Sequence, residues 1–171
     1  MNTTRGRLGL AAFLLSALIL GGCSRAPDLK NARLYSGAAM EFRSPGNWKI
    51  SQGDTPDTVL VESGGFGYAG LAVVRSNTVA TRKQILASVL GPEEGPKTAV
   101  ARTILRERTE GVRVDYQIEV DHVKVDMRSE TYVAGPVQGP LVITLHNSRA
   151  SWDRDVPGFD LVLESLKLKT R

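Results

Sequence analysis

The chain of 171 residues is poor in the groups on which most enzymes and small secreted folds depend: one cysteine, two histidines and only 6% aromatic residues. A single thiol excludes an internal disulfide, a cysteine-based zinc site and dithiol redox chemistry, so stability has to come from packing. The histidines, His122 and His146, stand in no zinc-type spacing with each other or with a carboxylate. A Gly-x-Ser-x-Gly elbow is missing too. A hydrolase would therefore need a Ser-His-Asp set assembled by folding alone. Asp153, Asp155 and Asp160 lie close together without calcium-loop spacing, and helix capping is their simpler use. The expectation is a chain with no catalytic residues, no cofactor and no metal.

The one cysteine sits where a targeting signal would place it. Arg5 and Arg7 precede an apolar run from Leu8 to Leu20, and Gly21, Gly22 and Cys23 follow. The run is too short to span a bilayer comfortably. Leu20-Gly21-Gly22-Cys23 resembles the lipobox of bacterial lipoproteins. That resemblance implies removal of residues 1–22, a diacylglyceryl group on the Cys23 sulfur and a membrane partner reached through lipid. Each buried methylene contributes about 0.8 kcal/mol, and stable anchoring takes more than one chain. Ser24 stands where an aspartate would imply retention in the inner membrane, so the resemblance favours the outer membrane, facing the periplasm. The plainer alternative is an ordinary secretory signal, or an uncleaved anchor, with Cys23 an incidental thiol. Cleavage would remove Arg5 and Arg7 from the 22 basic residues and none of the 18 acids, lowering the net charge from +4 to about +2. No nucleic-acid partner is expected.

Residues 23–34, with Pro27 and little periodicity, read as a tether of up to about 35 Å, and residues 35–171 as a single domain. Ala39–Phe42 and Trp48–Ile50 read as short strands of one hairpin around Ser44-Pro45-Gly46-Asn47. Thr58–Val61 and Tyr68–Val74 read as two more, joined by a loose turn at Gly64–Gly67, which lacks the Gly-Lys-Ser/Thr of a phosphate loop. Thr81 and Gln84 have capping-box spacing ahead of Ile85, Leu86 and Val89, and Gly91-Pro92 is a stop signal. A strand around Arg102–Arg108 should reach a turn at Glu110-Gly111. Leu141–Leu145, apolar on both faces, suits a strand covered on both sides. Phe159, Val162, Leu163 and Leu166 share one helical face, with Asp155 as a cap and Pro157 in the opening turn.

The most informative stretch is Val112–Val120 followed by Val123–Thr131. A two-residue turn at Asp121-His122 fixes the register. One face then pairs Val120 with Val123, Ile118 with Val125 and Tyr116 with Met127. The other pairs Glu119 with Lys124, Asp115 with Arg128 and Arg113 with Glu130. The apolar row should face the core, and the charged row should be a solvated face.

Phe42, Pro45 and Trp48 opening the domain, a capped helix, long antiparallel strands and the closing helix around Phe159 resemble the PsbP and DcrB group. The likeness covers about residues 35–168. It implies an α+β domain, an antiparallel sheet flanked by helices in an α/β/α sandwich, acting mostly by binding proteins. No catalytic or ligand motif carries over. The expected function is a membrane-anchored, non-enzymatic envelope lipoprotein that binds or assembles another envelope protein; the alternative is a carrier or sensor of a lipid or small apolar ligand. Trp48 should be core. Trp152, among Ser151, Asp153 and Arg154, is the candidate partner-contact residue.

Overall fold

Two antiparallel sheets and two helices make up the computed structural model, which describes residues 25–74, 81–89, 95–136 and 139–169. The smaller sheet is ordered β1-β2-β10, from β1 (Arg33–Ser36), β2 (Met40–Ser44) and β10 (Lys167–Leu168). The larger contains β3 (Lys49–Gln52), β4 (Thr58–Gly64), β5 (Gly67–Val73), β6 (Lys97–Ile104), β7 (Glu107–Val120), β8 (Val123–Ala134) and β9 (Leu141–Ser148). Its order is β3-β4-β5-β9-β8-β7-β6, and α1 (Arg82–Val89) and α2 (Arg149–Ser165) complete the fold. The result is an α+β fold dominated by antiparallel sheet.

The long hairpin adopts the expected register, from Val120 opposite Val123 through Tyr116 opposite Met127 to Arg113 opposite Glu130. Asp121 and His122 both have positive φ, 49° and 66°, as a tight two-residue turn between right-twisted strands requires. Gly64 and Gly65, φ 95° and 58°, turn β4 into β5 as the glycine-rich link predicts. The Thr81 hydroxyl accepts from the Gln84 N–H at 3.2 Å and Gln84 Oε1 accepts from the Thr81 N–H at 2.8 Å, closing the capping box. Gly91-Pro92 lies outside the described residues.

Several expectations give way. β2 and β3 do not form a hairpin: they belong to different sheets, and Trp48, fully buried between them, carries the chain from one to the other. The turn expected at Glu110-Gly111 lies instead at Leu105-Arg106, whose φ values of 51° and 66° are uncommon for such side chains. Gly111 is a strand residue, because a Cβ there would collide with the Tyr132 ring opposite it. α2 begins at Arg149 after the N-cap Ser148, so Asp155 is no cap and Pro157 lies inside the helix. The expected tether is largely part of the domain. The Asn47 side chain accepts from the Asp28 N–H at 2.8 Å and donates to the Ala26 carbonyl at 3.0 Å, and β1 starts at Arg33.

The main core lies between the larger sheet, the smaller sheet and α2. Trp48 meets Phe159 edge-on at 5.2 Å, Trp152 lies 5.8 Å from Phe159, and Tyr35 stacks on Phe42 at 4.9 Å. Gly158 is required where α2 crosses Trp48, since any Cβ would strike the indole. β9 runs through the middle of the larger sheet, between β5 and β8, with Leu141, Ile143 and Leu145 fully buried, as its two-sided apolarity predicts.

Candidate functional site

Strand alternation assigns each chemically interesting residue to one face of the larger sheet. Glu130 on β8 is opposite Arg113 on β7 and Leu145 on β9, and this face packs on α2. At the base of the long hairpin the charged row therefore looks toward the core, while Glu119 and Lys124 at its tip are exposed, and the apolar row of Val114 and Met127 packs on the other face. At the base of the hairpin both faces are covered: Glu130 is 1% exposed, and Val114 and Met127 are fully buried. The solvated-face expectation fails there because α2 brings its own partners. Arg102 on β6 donates to Glu130 at 2.7 Å and to Asp160 on α2 at 2.5 Å, Arg113 donates to Glu130 at 2.9 Å, and the Tyr132 hydroxyl donates to Glu130 at 2.6 Å. Arg128, paired with Asp115 at 2.7 and 3.0 Å, lies 5.6 Å from the Trp152 ring centre.

These contacts set the titration behaviour. Burial alone would raise the Glu130 carboxyl, but hydrogen bonds from Arg102, Tyr132 and Arg113, with the Arg102 positive charge, outweigh it and hold the group below the usual carboxylate range. Burial and the neighbouring Glu130 push the Tyr132 phenol up. The hydrogen bond from Arg128 lowers Asp115. The cluster is an ionised lock between sheet and helix whose donors and acceptors meet one another.

A second buried cluster surrounds Asp155, which accepts from Ser63 at 2.6 Å, Asn147 at 2.8 Å and Arg154 at 2.7 Å. His146 lies on the opposite face of β9. Its Nε2 meets the Tyr116 hydroxyl, its Nδ1 is 3.1 Å from the Phe66 carbonyl, and its ring stacks on Tyr68 at 4.8 Å. Burial lowers its pKa. Ser63 and Asp155 are thus separated from His146 by the sheet itself, and this serine, histidine and aspartate form no relay. His122 is exposed in its turn beside Glu119, and Asp160 is committed to Arg102. Among the described residues no group of three or more histidine, cysteine, aspartate or glutamate side chains could hold a metal ion.

Trp152 is not an exposed contact residue. It is 2% exposed, on the inward face of α2 that it shares with Phe159 and that meets Arg128, because the helix starts three residues before it and turns it inward. Cys23 lies outside the described residues. Among those residues, no helix is long and apolar enough to cross a membrane.

Among the described residues the longest sheet edge with no strand on its outer side is β6, which sequence reasoning missed by placing its turn five residues late. Among the described residues β6 has β7 on one side and no strand on the other. The two-residue turn at Leu105-Arg106 makes Ile104 and Glu107 a hydrogen-bonded pair, so alternate residues Lys97, Ala99, Ala101 and Thr103 direct their backbone N–H and C=O outward. All four are exposed. The edge has no proline or bulge, and the one charge in its middle, Arg102, turns its side chain to Glu130 and Asp160 on the covered face.

No family model matches the chain, and no curated protein matches it. Among solved structures, it is similar to a crystal structure from Bacteroides thetaiotaomicron VPI-5482, with TM-score 0.54 and 11% identity over 82% of this chain and 49% of that one. The chain thus spans about half the length of that protein, and the likeness concerns the fold alone. Looser likenesses are the solution structure of cyanobacterial PsbP (CyanoP) from Synechocystis sp. PCC 6803, with TM-score 0.47 and 17% identity over 87% of this chain and 96% of that one, and LpqN, involved in cell envelope biogenesis of Mycobacterium tuberculosis, with TM-score 0.47 and 7% identity over 81% and 91%.

Proposed function

We propose that the protein is a lipid-anchored, non-enzymatic module of the bacterial cell envelope, binding an extended segment of another envelope protein along the β6 edge. Cleavage before Cys23 and its lipidation would tether the domain to the outer membrane, facing the periplasm. In this reading the fold is a sheet-rich variant of the PsbP and DcrB α/β/α sandwich, with α1 as the thinner helical layer. The observation that carries the binding proposal is the open edge: four outward residues with small or flexible side chains offer a ladder that only another strand can complete. A carrier would need room between the larger sheet and α2, but Trp48, Phe159 and Trp152 fill that region.

The test is photocrosslinking in the cell of origin from a photoreactive residue at Ala99, repeated with Ala101→Pro. Proline at 101 removes an outward N–H while sparing the ladder to β7. One dominant protein adduct that Ala101→Pro abolishes would support the proposal. An adduct unaffected by proline, or a captured lipid, would refute strand pairing.

A further inference from the structure

The anchored reading leaves open which surface meets the bilayer, and the smaller sheet supplies an answer. Its inner face carries Tyr35, Met40, Phe42 and Leu168 into the core. Alternation places Leu34, Ser36, Glu41, Arg43, Lys167 and Lys169 on its outer face. Leu34 is 65% exposed, and Leu29, four residues after the Arg25 cation, is 43% exposed beside the exposed Lys30. Three of the outer side chains are cationic and one is anionic, Glu41, which lies 3.6 Å from Lys167. The Lys169 ammonium donates to Ser36 at 2.8 Å, which holds it along the sheet surface. The face is basic with a protruding leucine, the combination that suits anionic headgroups above acyl chains.

The chain leading to Cys23 arrives at the same sheet. Asn47 grips Ala26 and Asp28, and the Gly46 N–H donates to the Asp28 carbonyl at 2.9 Å, next to the Arg33 and Ser44 end of the β1–β2 pair. From Ala26 back to Cys23 is three residues, a reach of about 10 Å when fully extended. A lipid on Cys23 would therefore hold this end of the domain against the headgroup layer.

We propose that the outer face of the β1-β2-β10 sheet lies on an anionic bilayer, with Leu34 at the boundary of the apolar layer and Arg43, Lys167 and Lys169 against lipid phosphates. This rests on the lipid-anchor reading of Cys23. It leaves the β6 edge, in the other sheet, to a protein partner.

Because the chain has one natural cysteine, which the anchor occupies, Leu34→Cys in the full lipidated protein offers a single site for an environment-sensitive fluorophore. Val123→Cys, at the exposed hairpin tip, is the control. The proteins are reconstituted on vesicles of phosphatidylethanolamine and phosphatidylglycerol, or of phosphatidylcholine alone, containing a lipid-borne quencher. Flotation reports the anchor, and quenching reports the face. Quenching is expected at 34 and not at 123 on the anionic vesicles. It should be lost with Lys167→Glu plus Lys169→Glu, and reduced at about 1 M salt, where the Debye length falls to about 3 Å. Protein that floats with position 34 unquenched, or with 34 and 123 quenched equally, overturns the proposed face while leaving the anchor intact. Protein that fails to float overturns the anchor and this proposal with it.

Discussion

The base and the tip of the β7–β8 hairpin carry the same kind of cross-strand charge pair in one continuous register, yet they occupy different environments. At the base, Arg113 and Glu130 lie under α2 with Glu130 1% exposed; at the tip, Glu119 is opposite Lys124, and its side chain is 60% exposed beside His122. Register settles which residues meet. Coverage by another element settles what the meeting contributes, because a desolvated ion left without its partner costs several kcal/mol whereas an exposed pair contributes about 0–1.

The largest effect is therefore expected from Glu130→Gln, which keeps the shape but removes the charge that Arg102, Arg113 and Tyr132 all address. It should destabilise the fold by about 3 kcal/mol in equilibrium denaturation. A cost below about 1 kcal/mol would mean that water reaches the base as freely as the tip. The pH dependence has a definite sign. Glu130 is depressed in the folded state, so its contribution is complete above the ordinary carboxylate range and is lost as pH falls through the folded value. Glu130→Gln should flatten the acid limb of the stability curve.

On the other face of the sheet, His146 is also depressed, by burial beside Tyr68 and Tyr116 that outweighs the opposing hydrogen bond to the Phe66 carbonyl. The folded state resists its protonation, so stability should begin to fall as pH drops below its ordinary value of about 6.5, before the carboxylates titrate. His146→Gln should remove this first step and leave the Glu130 limb in place. A single acid transition unchanged by His146→Gln would show that this ring is wetter than its packing indicates.

Asp115 and Arg128 lie between the extremes, with side-chain exposures of 29% and 17% and a bidentate contact. Asp115→Arg should lower the unfolding midpoint, and adding Arg128→Asp should recover part of the loss, with a coupling of about 1 kcal/mol in a double-mutant cycle. Strict additivity would break the claim that the pair matters at partial coverage.

Much of the hairpin was legible in the sequence because alternation and charge complementarity are local: both point to one pairing, from Arg113–Glu130 to Val120–Val123. Which face is buried is not local. The apolar row suggests one face, but α2, which begins at Arg149 after the whole of β9, covers the charged row and supplies Asp160 and Trp152 to it. The same limit explains Trp152, whose polar neighbours in sequence hide an inward helical position. Gly111 misleads in the opposite way, since a glycine that reads as a turn is needed to clear the Tyr132 ring across the strand. The Leu105-Arg106 turn carried no glycine or asparagine to announce it, so the eight-residue β6 edge stayed hidden with it. Nor did Pro27 and its polar neighbours reveal that Asn47 would fasten them to the domain.

The smallest effect is expected at the tip. Glu119→Ala removes a carboxylate whose neighbours, His122 at 3.5 Å and Lys124 across the strand, are solvated. The change in stability should stay within about 0.5 kcal/mol, or less than about 2 °C in Tm. The same measurement in the lipidated protein on vesicles sharpens the contrast with the base. If the cost remains small there, the tip is free in the anchored state and the difference between the two ends belongs to the fold. If it rises above about 1 kcal/mol only on the membrane, something covers the tip there, and the base and tip would differ by occupancy rather than by structure.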